Sequence, residues 1–372
     1  MDSSEHAVVV GAGPAGLGAS LGLVRHGIHV TMVEQHDLPG TPRRGETIRT
    51  DPHMEEILGR GFFDKIALRR VNRRRYYSHS GLCHVDRTIS NPNIIFSWPD
   101  LIGHLAEIAR REGVVIRTGM RALRLVTRAG STVGIEAAHG SAQESFPAGT
   151  VFLCGGCRGA ESLGMAQDRS GMDMAVHKRL VSGYDGPDDR LEYHFHLAPA
   201  GLVVGAMFPR GQGEAELILM NTSGGSTGVI SFDEFCGHHP SFARLMEGVQ
   251  TSYDLETCIP MGGMRFPFSP GPGLVLAGDA LGHVQGRGGS GIRTSFLIGH
   301  TAGSLSARAM RAGGWTKENR RAFEKELRRH PHVRSLRLHN LVYAGLRSRI
   351  FRRIRSPEHM DSVWNLLSVA LR

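Results

Sequence analysis

Three glycines near the N-terminus have a spacing that could hold a dinucleotide. Gly11, Gly13 and Gly16 form a GxGxxG motif, with Pro14 and Ala15 between the last two. We expect Gly11 to permit a tight turn, Gly13 to let the backbone approach a pyrophosphate, and Gly16 to let a helix lie close to a strand. A helix that begins here would offer unpaired N–H groups and the positive end of its dipole to the phosphates. The motif therefore predicts a dinucleotide site.

A strand, a helix and a second strand are predicted around these glycines. The apolar, β-branched residues 6–10 precede the motif, and apolar residues at helical spacing follow it through Val24. Residues 28–33 form a second β-branched run that ends on Glu34, and Gln35 is next in the chain. At this position a carboxylate can accept hydrogen bonds from the ribose hydroxyls of an adenosine. We therefore expect Glu34 and Gln35 to bind the same cofactor as the glycines.

A second glycine-rich segment lies in the C-terminal half of the chain. It follows the apolar run 274–277, precedes a helical pattern that extends to about residue 310, and contains Gly278, Asp279, Gly282, Gly289, Gly291 and Ile292. The segment resembles the GDAAG-x-x-x-P-x-x-G-x-G-I pattern of the geranylgeranyl-reductase-like branch of the para-hydroxybenzoate-hydroxylase-type flavoproteins. Leu281 stands in place of an alanine of that pattern, and Gly286 in place of its proline.

This resemblance implies that FAD is the cofactor and that both glycine segments bind it. Asp279 would bond a ribityl hydroxyl, and the glycines would let the backbone lie against the isoalloxazine. The N-terminus of the helix from Ile292 would stabilise the negative charge of reduced flavin. The resemblance also implies an α/β fold: a Rossmann-like FAD-binding domain with an inserted antiparallel β-sheet substrate domain and a C-terminal helical segment.

A third segment, Arg43-Arg44-Gly45-Glu46, resembles the stretch that passes beside the flavin ring in prenyl reductases and flavin halogenases. We therefore expect Arg44 and Gly45 to contact FAD. For each polar residue near the ring, the alternative is an ordinary surface or cofactor-packing role. The catalytic candidates are Glu46 and His283, as acids or bases for proton transfer, and Arg287, as a stabiliser of charge at the ring.

Departures from known relatives narrow the predicted function. Residues 154–162 stand where many hydroxylases carry an A-D-G turn that accommodates NAD(P)H, and they lack its aspartate, so direct use of NAD(P)H is uncertain. The W-x-W-x-I-P motif of halogenases and the cysteine motif of prenyl reductases are both absent. Residues 198–210 are similar to the P-x-G-Y-x-W-x-F-P segment of prenyl reductases, although Leu202 and Val204 replace its aromatic residues.

The order of elements along the chain indicates interleaved domains. Period-two strands between glycine turns dominate residues 171–258, and helices are predicted to begin at Ser97 and, through a capping box, at Ser231. We expect an FAD-binding domain of residues 1–75, 97–170 and 260–312, a substrate-binding sheet of residues 76–96 and 171–259, and a basic helical segment of residues 313–372.

The net charge of +9 is concentrated in two places. Basic residues dominate residues 316–355, and a second cluster consists of Arg69, Arg70, Arg73, Arg74 and Arg75. Such clusters are most often solvated helix faces or loops. The alternatives are a handle for an anionic substrate, phosphorylated or bound to an acidic carrier protein, and, for the C-terminal helices, peripheral contact with an anionic membrane. No nucleic-acid-binding motif accompanies the charge, so nucleic acid is not an expected partner.

Cysteines and histidines predict neither a disulfide framework nor a metal site. We expect a cytoplasmic protein for three reasons. The five cysteines are scattered, there is no run of about 18 apolar residues, and there is no basic leader. Cys154 and Cys157 have C-x-x-C spacing. We prefer a tight glycine turn over a redox pair, because this segment follows a predicted strand rather than opening a helix. His194 and His196 share one side of a strand without partners at zinc spacing, so surface or pocket-lining positions are expected.

Three functions fit these features. The first is a reductase or dehydrogenase that acts on a C–C or C–N bond of an apolar small molecule in a biosynthetic pathway. The second is a monooxygenase that hydroxylates or epoxidises its substrate with NAD(P)H and O2, against which the missing aspartate counts. The third is a non-catalytic flavin-binding protein, against which the two flavin motifs count. We expect the first.

Overall fold

The computed structural model of the protein describes residues 5–165, 173–198, 201–221, 230–260, 267–281 and 291–336. The strands within these segments are β1 (His6–Val10), β2 (His29–Val33), β3 (Thr47–Arg49), β4 (Arg69–Tyr77), β5 (His84–Ile95), β6 (Val115–Arg117), β7 (Arg121–Arg128), β8 (Ser131–His139), β9 (Ala142–Pro147), β10 (Thr150–Leu153), β11 (Asp173–Ser182), β12 (Arg190–Ala198), β13 (Gly201–Gly211), β14 (Glu214–Asn221), β15 (Gln250–Pro260) and β16 (Leu274–Leu276). The α-helices are α1 (Pro14–Val24), α2 (Pro52–Leu58), α3 (Phe62–Ile66), α4 (Trp98–Arg111), α5 (Gly156–Ser162), α6 (Phe232–His238), α7 (Pro240–Ala243), α8 (Ile292–Arg311) and α9 (Lys317–Arg329).

A five-stranded parallel sheet carries both glycine motifs. Its strand order is β16-β10-β1-β2-β6, and every neighbouring pair is parallel. The strands β16, β10 and β1 and most of β2 are buried because a parallel sheet is covered on both faces, whereas the edge strand β6 is largely exposed. The carboxyl ends of β1, β2 and β16 therefore meet at one edge, and this confirms the predicted Rossmann-like sheet.

Helices α1 and α8 cross in direct backbone contact. A Cβ atom added to Gly18 would lie 2.2 Å from the carbonyl oxygen of Phe296, and one added to Gly303 would lie 2.2 Å from that of Ala19. Because glycines stand at these positions, the two helices approach more closely than larger side chains allow. The crossing fixes the start of α8 beside the start of α1, so the two glycine motifs are brought together.

An eight-stranded sheet forms the second layer of the structure, with the order β15-β11-β14-β13-β12-β4-β5-β3. Only β12 and β4 pair in parallel, and the other neighbours are antiparallel. The predicted antiparallel sheet is thus confirmed, while the predicted domain boundaries remain predictions. One face packs on α6 and α7 through the phenylalanines Phe232, Phe235 and Phe242.

The other face of this sheet is apolar over most of its area. Side chains alternate along a strand, so Ile218 and Met220 of β14 share a face with Glu216. We call this face the apolar wall; it consists of Val71, Ile95, Met174, Val176, Leu191, Val204, Ala206, Phe208, Ile218 and Met220, and the partly buried Tyr193, Phe195, Leu202 and Ile259.

Two smaller features differ from the sequence analysis or refine it. Strands β7, β8 and β9 form a separate three-stranded antiparallel sheet, which we had not distinguished from the FAD-binding layer. The side chain of Ser231 caps α6 by accepting a hydrogen bond from the backbone N–H of Glu234 at 3.1 Å, whereas that of Ser97 forms no such bond at α4. No helix within the described residues is long and apolar enough to cross a membrane.

Candidate functional site

The first glycine motif forms a tight turn between β1 and α1. Gly11 has φ +100°, and a Cβ atom there would lie 2.7 Å from the Cα of Gly155. A Cβ atom on Gly16 would lie 2.0 Å from the carbonyl oxygen of Gly11, whereas one on Gly13 meets no atom within 4 Å. Open space at Gly13, next to the N-terminus of α1, is the arrangement that a bound pyrophosphate needs.

Glu34 lies directly over this turn, at the end of β2. Its Oε2 accepts a hydrogen bond from the backbone N–H of Ala12 at 2.8 Å, and its Oε1 accepts one from that of His36 at 3.0 Å. Each carboxylate oxygen has a second lone pair, which remains available to a ribose hydroxyl. The exposed Gln35 follows Glu34, and its side chain contacts His36. The carboxylate is therefore held in the orientation that an adenosine ribose requires.

The second glycine motif lies against the first. Gly278 has φ +68°, and a Cβ atom there would lie 2.8 Å from the Cβ of Ala15. Burial raises the pKa of Asp279, and the charge of Arg44 opposes that shift. No hydrogen-bond partner of the Asp279 side chain exists within the described segments, so the carboxyl group is open to a ligand hydroxyl. The polar groups at this edge fit the FAD that the sequence predicted.

The start of α8 completes this edge. Gly291 is the N-cap residue and Ile292 the first helical residue, and no side chain caps the helix. Three other predicted residues, namely His283, Arg287 and Gly289, lie outside the described residues. Helix N-termini without a side-chain cap leave N–H groups for a ligand.

Glu46 lies at the centre of a buried ion cluster. Its side chain is inaccessible to solvent, and Oε1 accepts hydrogen bonds from Arg43 Nε and from the backbone N–H of Trp98, both at 2.9 Å. Oε2 contacts the guanidinium of Arg210 and lies 3.8 Å from Nζ of Lys178. The Lys178 ammonium also donates to the backbone carbonyl of Arg44. These contacts surround the carboxylate with three cationic side chains and fix the segment 43–46 against the sheet.

Two residues beside the ion cluster connect it to the apolar wall and to the flavin motifs. The carboxylate of Glu216, which is buried, lies 2.8 Å from Nζ of Lys178. Arg44 itself is exposed and donates to Oγ1 of Thr257 at 3.3 Å, and a Cβ atom on Gly45 would meet no atom within 4 Å. Contacts of Arg43 and Glu46 thus hold the two ends of the segment 43–46 in place, while Arg44 and Gly45 remain accessible.

Comparison with known proteins supports FAD as the cofactor. Residues 5–177 match a family described as an FAD binding domain. Protein FixC of Escherichia coli (strain K12) is 27% identical over 91% of this chain and 85% of its own length. The digeranylgeranylglycerophospholipid reductase of Thermoplasma acidophilum is 22% identical over 86% of this chain and 82% of its own length. A geranylgeranyl bacteriochlorophyll reductase-like protein from Thermoplasma acidophilum has the same fold, with a TM-score of 0.77, 18% identity and coverage of 97% of this chain and 98% of that one.

Residues 5–177 therefore belong to an FAD-binding domain family, and the chain as a whole resembles geranylgeranyl-reductase-like FAD-dependent flavoproteins. The resemblance named from the glycine motifs is therefore confirmed, and so is the expectation of an FAD-dependent oxidoreductase.

The cysteine segment of this flavoprotein differs from its prediction. We expected no helix after β10, but the short helix α5 begins at Gly156, where φ of +74° makes the turn. The expected glycine turn and a helix therefore coexist. Burial raises the pKa of the Cys154 thiol, which disfavours the reactive thiolate.

The histidines of β12 are buried, so the surface alternative of the prediction was wrong, while the pocket-lining alternative stays a prediction. His194 stacks on Tyr77 with ring centroids 4.3 Å apart, and His196 stacks on His238 at 4.5 Å. His239 lies edge-on to His196 at 5.5 Å. Strand alternation directs these rings toward α6 and α7, away from the apolar wall, and sequence spacing alone did not show this. Within the described residues no group of three or more histidine, cysteine or acidic side chains is arranged to hold a metal.

The arginine cluster on β4 is largely paired with acids, and it lies on a strand rather than on the expected helix or loop. Arg75 forms a bidentate pair with Asp86, with both distances 2.7 Å. Three other arginines of this cluster contact single carboxylates: Arg69 with Asp188, Arg70 with Asp64, and Arg73 with Asp189. Arg74 points to the opposite face and donates to Oδ1 of Asn93 at 2.6 Å.

Sequence analysis gave no functional role to Lys178, Arg210 or Glu216. Arg210 and Glu216 are charged residues within largely apolar strands, and that was the available signal, whereas Lys178 stands between His177 and Arg179 and gave none. A buried strand carries a charge at a cost unless a partner is close. Charged residues at such positions therefore indicate a buried ion cluster, but they do not identify Glu46 as one of its members.

Proposed function

We propose that this flavoprotein reduces or dehydrogenates a C–C or C–N bond of a small molecule with a large apolar portion. FAD supplies hydride transfer at its ring. The observation that carries the proposal is the apolar wall, which lies on the same sheet face as the ion cluster that holds the segment 43–46. An apolar substrate that packs on the wall would be brought to the same edge as Arg44 and Asp279, and water would be excluded from it.

The proposed roles at the cofactor follow from the geometry. Gly11, Gly13 and the N-terminus of α1, which begins with Pro14 and Ala15, would hold the pyrophosphate. Glu34 would accept hydrogen bonds from the ribose hydroxyls, and Asp279 from the ribityl chain. Arg44 and Gly45 would lie along the flavin.

The proposed roles at the substrate are orientation and proton supply. Tyr193 stacks on Tyr76 with ring centroids 5.2 Å apart, and burial raises the pKa of Tyr193 to about 12. Its phenol therefore remains protonated at neutral pH and can donate a hydrogen bond from the wall. We assign Glu46 to positioning, because its carboxylate is occupied by cations. His283 and Arg287 remain proposed for proton transfer and for charge stabilisation.

An anaerobic titration tests this proposal. The holoprotein would be titrated with NADPH and then NADH while the visible flavin band is followed. Bleaching, with a substrate-derived product that forms without O2, supports the reductase. Bleaching followed by a product that forms only when O2 is admitted overturns it in favour of a monooxygenase. A band that bleaches only with an apolar substrate supports a dehydrogenase and agrees with the missing aspartate in residues 154–162.

A cytoplasmic location remains a proposal as well.

A further inference from the structure

Four arginines from separate elements converge near one end of the apolar wall. They are Arg49 of β3, Arg74 of β4, Arg87 of β5 and Arg293 in the first turn of α8. Arg74 and Arg87 are directly paired across β4 and β5, and Arg49 is paired with Asn93 across β3 and β5. Because Arg74 also donates to Oδ1 of Asn93, the guanidiniums of Arg74 and Arg49 lie on the same small area of sheet.

Within this arginine cluster, Arg49 and Arg74 carry positive charge that no described salt bridge balances. Burial lowers the pKa of Arg49, and the charges of Arg74, Arg293 and Arg87 lower it further. Neither Arg49 nor Arg74 has a salt-bridge partner within the described part of the chain. Arg293 lies 3.4 Å from Asp51, which also caps α2. Like charges close together on neighbouring strands destabilise a sheet, so an anion beside Arg49 and Arg74 would be stabilising.

Two hydrogen-bond donors of the arginine cluster have no acceptor. The Nε atoms of Arg49 and Arg74 are buried, and neither has a hydrogen-bond partner. A guanidinium presents its N–H groups in a planar fork that matches the oxygens of a carboxylate or phosphate. An oxyanion between these side chains would satisfy donors and charge at once.

The arginine cluster adjoins the proposed substrate and flavin positions. Arg74 and Tyr76 alternate along β4 and so share a face, and Tyr76 stacks on Tyr193 of the apolar wall. Arg293 belongs to the helix turn that follows the second flavin motif. Arg73, by contrast, points to the other side of β4 and contacts Asp189.

We propose that Arg49, Arg74, Arg87 and Arg293 form a subsite for the oxyanion head group of the substrate, a phosphate or a carboxylate. The inference rests on the proposed function in one respect, that the apolar wall holds the apolar part of the same molecule. This proposal assigns binding of the anionic group to arginines on the inner face of the sheet and not to the outward-facing arginines of β4. The substrate class is then an apolar chain or ring system that ends in an oxyanion.

Binding of matched amphiphiles to the FAD-loaded protein tests this subsite. Decyl phosphate, decanoate and decanol share one chain and differ in the head group, and their affinities can be measured by isothermal titration calorimetry without turnover. We expect the phosphate or the carboxylate to bind at least about tenfold more tightly than decanol, since charged hydrogen bonds contribute of that order. Whichever anion binds more tightly identifies the head group. Equal affinity of all three probes overturns the subsite.

Arginine variants locate the binding. Arg49→Met and Arg74→Met should each weaken binding of the preferred anion about tenfold or more and leave decanol binding unchanged. Arg73→Met, on the outer side of the same strand, is the matched control and should change neither. The subsite is overturned if both inner variants bind like wild type, if Arg73→Met loses as much, or if the inner variants change only the preference for NADPH over NADH.

A second measurement covers the case in which an inner variant does not fold. Anion binding to the wild-type protein should weaken steeply as KCl is added, whereas decanol binding should not. Anion affinity that is insensitive to salt contradicts the subsite. Failure of the flavin to exchange electrons with any donor or substrate would overturn the proposed function alone, because these binding measurements need no reaction.

Discussion

Replacement of Glu46 by Gln tests the buried ion cluster most sharply. Glutamine keeps the shape of the side chain and one oxygen for the backbone N–H of Trp98, but it removes the charge that faces Arg43, Arg210 and Lys178. Removal of one partner from a buried ion pair costs about 3–5 kcal/mol. We expect about 3 kcal/mol for Glu46→Gln, since one hydrogen bond survives.

This loss can be converted into a change in melting temperature. Unfolding entropy is about 2.1 cal/mol/K per residue, so for 372 residues a loss of about 3 kcal/mol lowers Tm by about 4 °C. The assay is urea and thermal unfolding of the FAD-saturated protein, followed by circular dichroism. The matched control is Glu144→Gln, because Glu144 pairs with Arg117 at 2.9 Å while their side chains are 47% and 43% exposed. That exposed pair should contribute less than about 1 kcal/mol.

A neighbouring acid provides an internal comparison. Burial raises the pKa of Glu216; Lys178 opposes this shift, and Glu46 adds to it. Burial therefore disfavours the charged form of Glu216, and since Lys178 is the one cation paired with this carboxylate within the described residues, Glu216→Gln should cost less than Glu46→Gln. The reasoning is refuted if Glu46→Gln loses no more stability than Glu144→Gln, or if Glu216→Gln is the more damaging change.

Two further predictions concern the glycine turn and the buried histidines. Gly13→Ala should leave Tm of the FAD-free protein nearly unchanged but weaken FAD binding at least tenfold. Gly16→Ala should lower that Tm, because its Cβ would lie 2.0 Å from a carbonyl oxygen. Equal effects of the two substitutions on Tm would contradict this geometry. Burial lowers the pKa of His239 to about 3 and that of His196 to about 4, while an unfolded histidine titrates near 6.5. The unfolded chain therefore binds more protons below about pH 6.5, and the free energy of unfolding should fall from pH 7 to pH 5. His239→Phe should reduce that fall in urea titrations at the two pH values, and an unaltered pH dependence would count against the histidine cluster.

Local patterns predicted the flavin-binding layer well. The strand, glycine turn and helix around residues 6–24 are set by neighbours in sequence, so the turn at Gly11 and the parallel strand β2 could be predicted. The second motif likewise carries its strand and the start of α8 in one continuous stretch. Both motifs also carried the family resemblance.

Long-range pairing could not be predicted in the same way. Strand β12 lies beside β4, with Arg190 opposite Arg73, although more than one hundred residues separate them. Only this register shows that Arg74 faces inward while Arg73 faces outward. Two cations that face Glu46, Lys178 of β11 and Arg210 of β13, are distant in sequence, so residues 43–46 alone show a candidate acid and its neighbour Arg43 but not these two partners.

The visible absorption spectrum of the purified protein after incubation with FAD and gel filtration tests the central claim most directly. The account predicts a protein-bound flavin band in stoichiometric amount, and its loss in Gly13→Ala under the same conditions. A colourless wild-type protein that cannot be reconstituted with FAD would contradict the account.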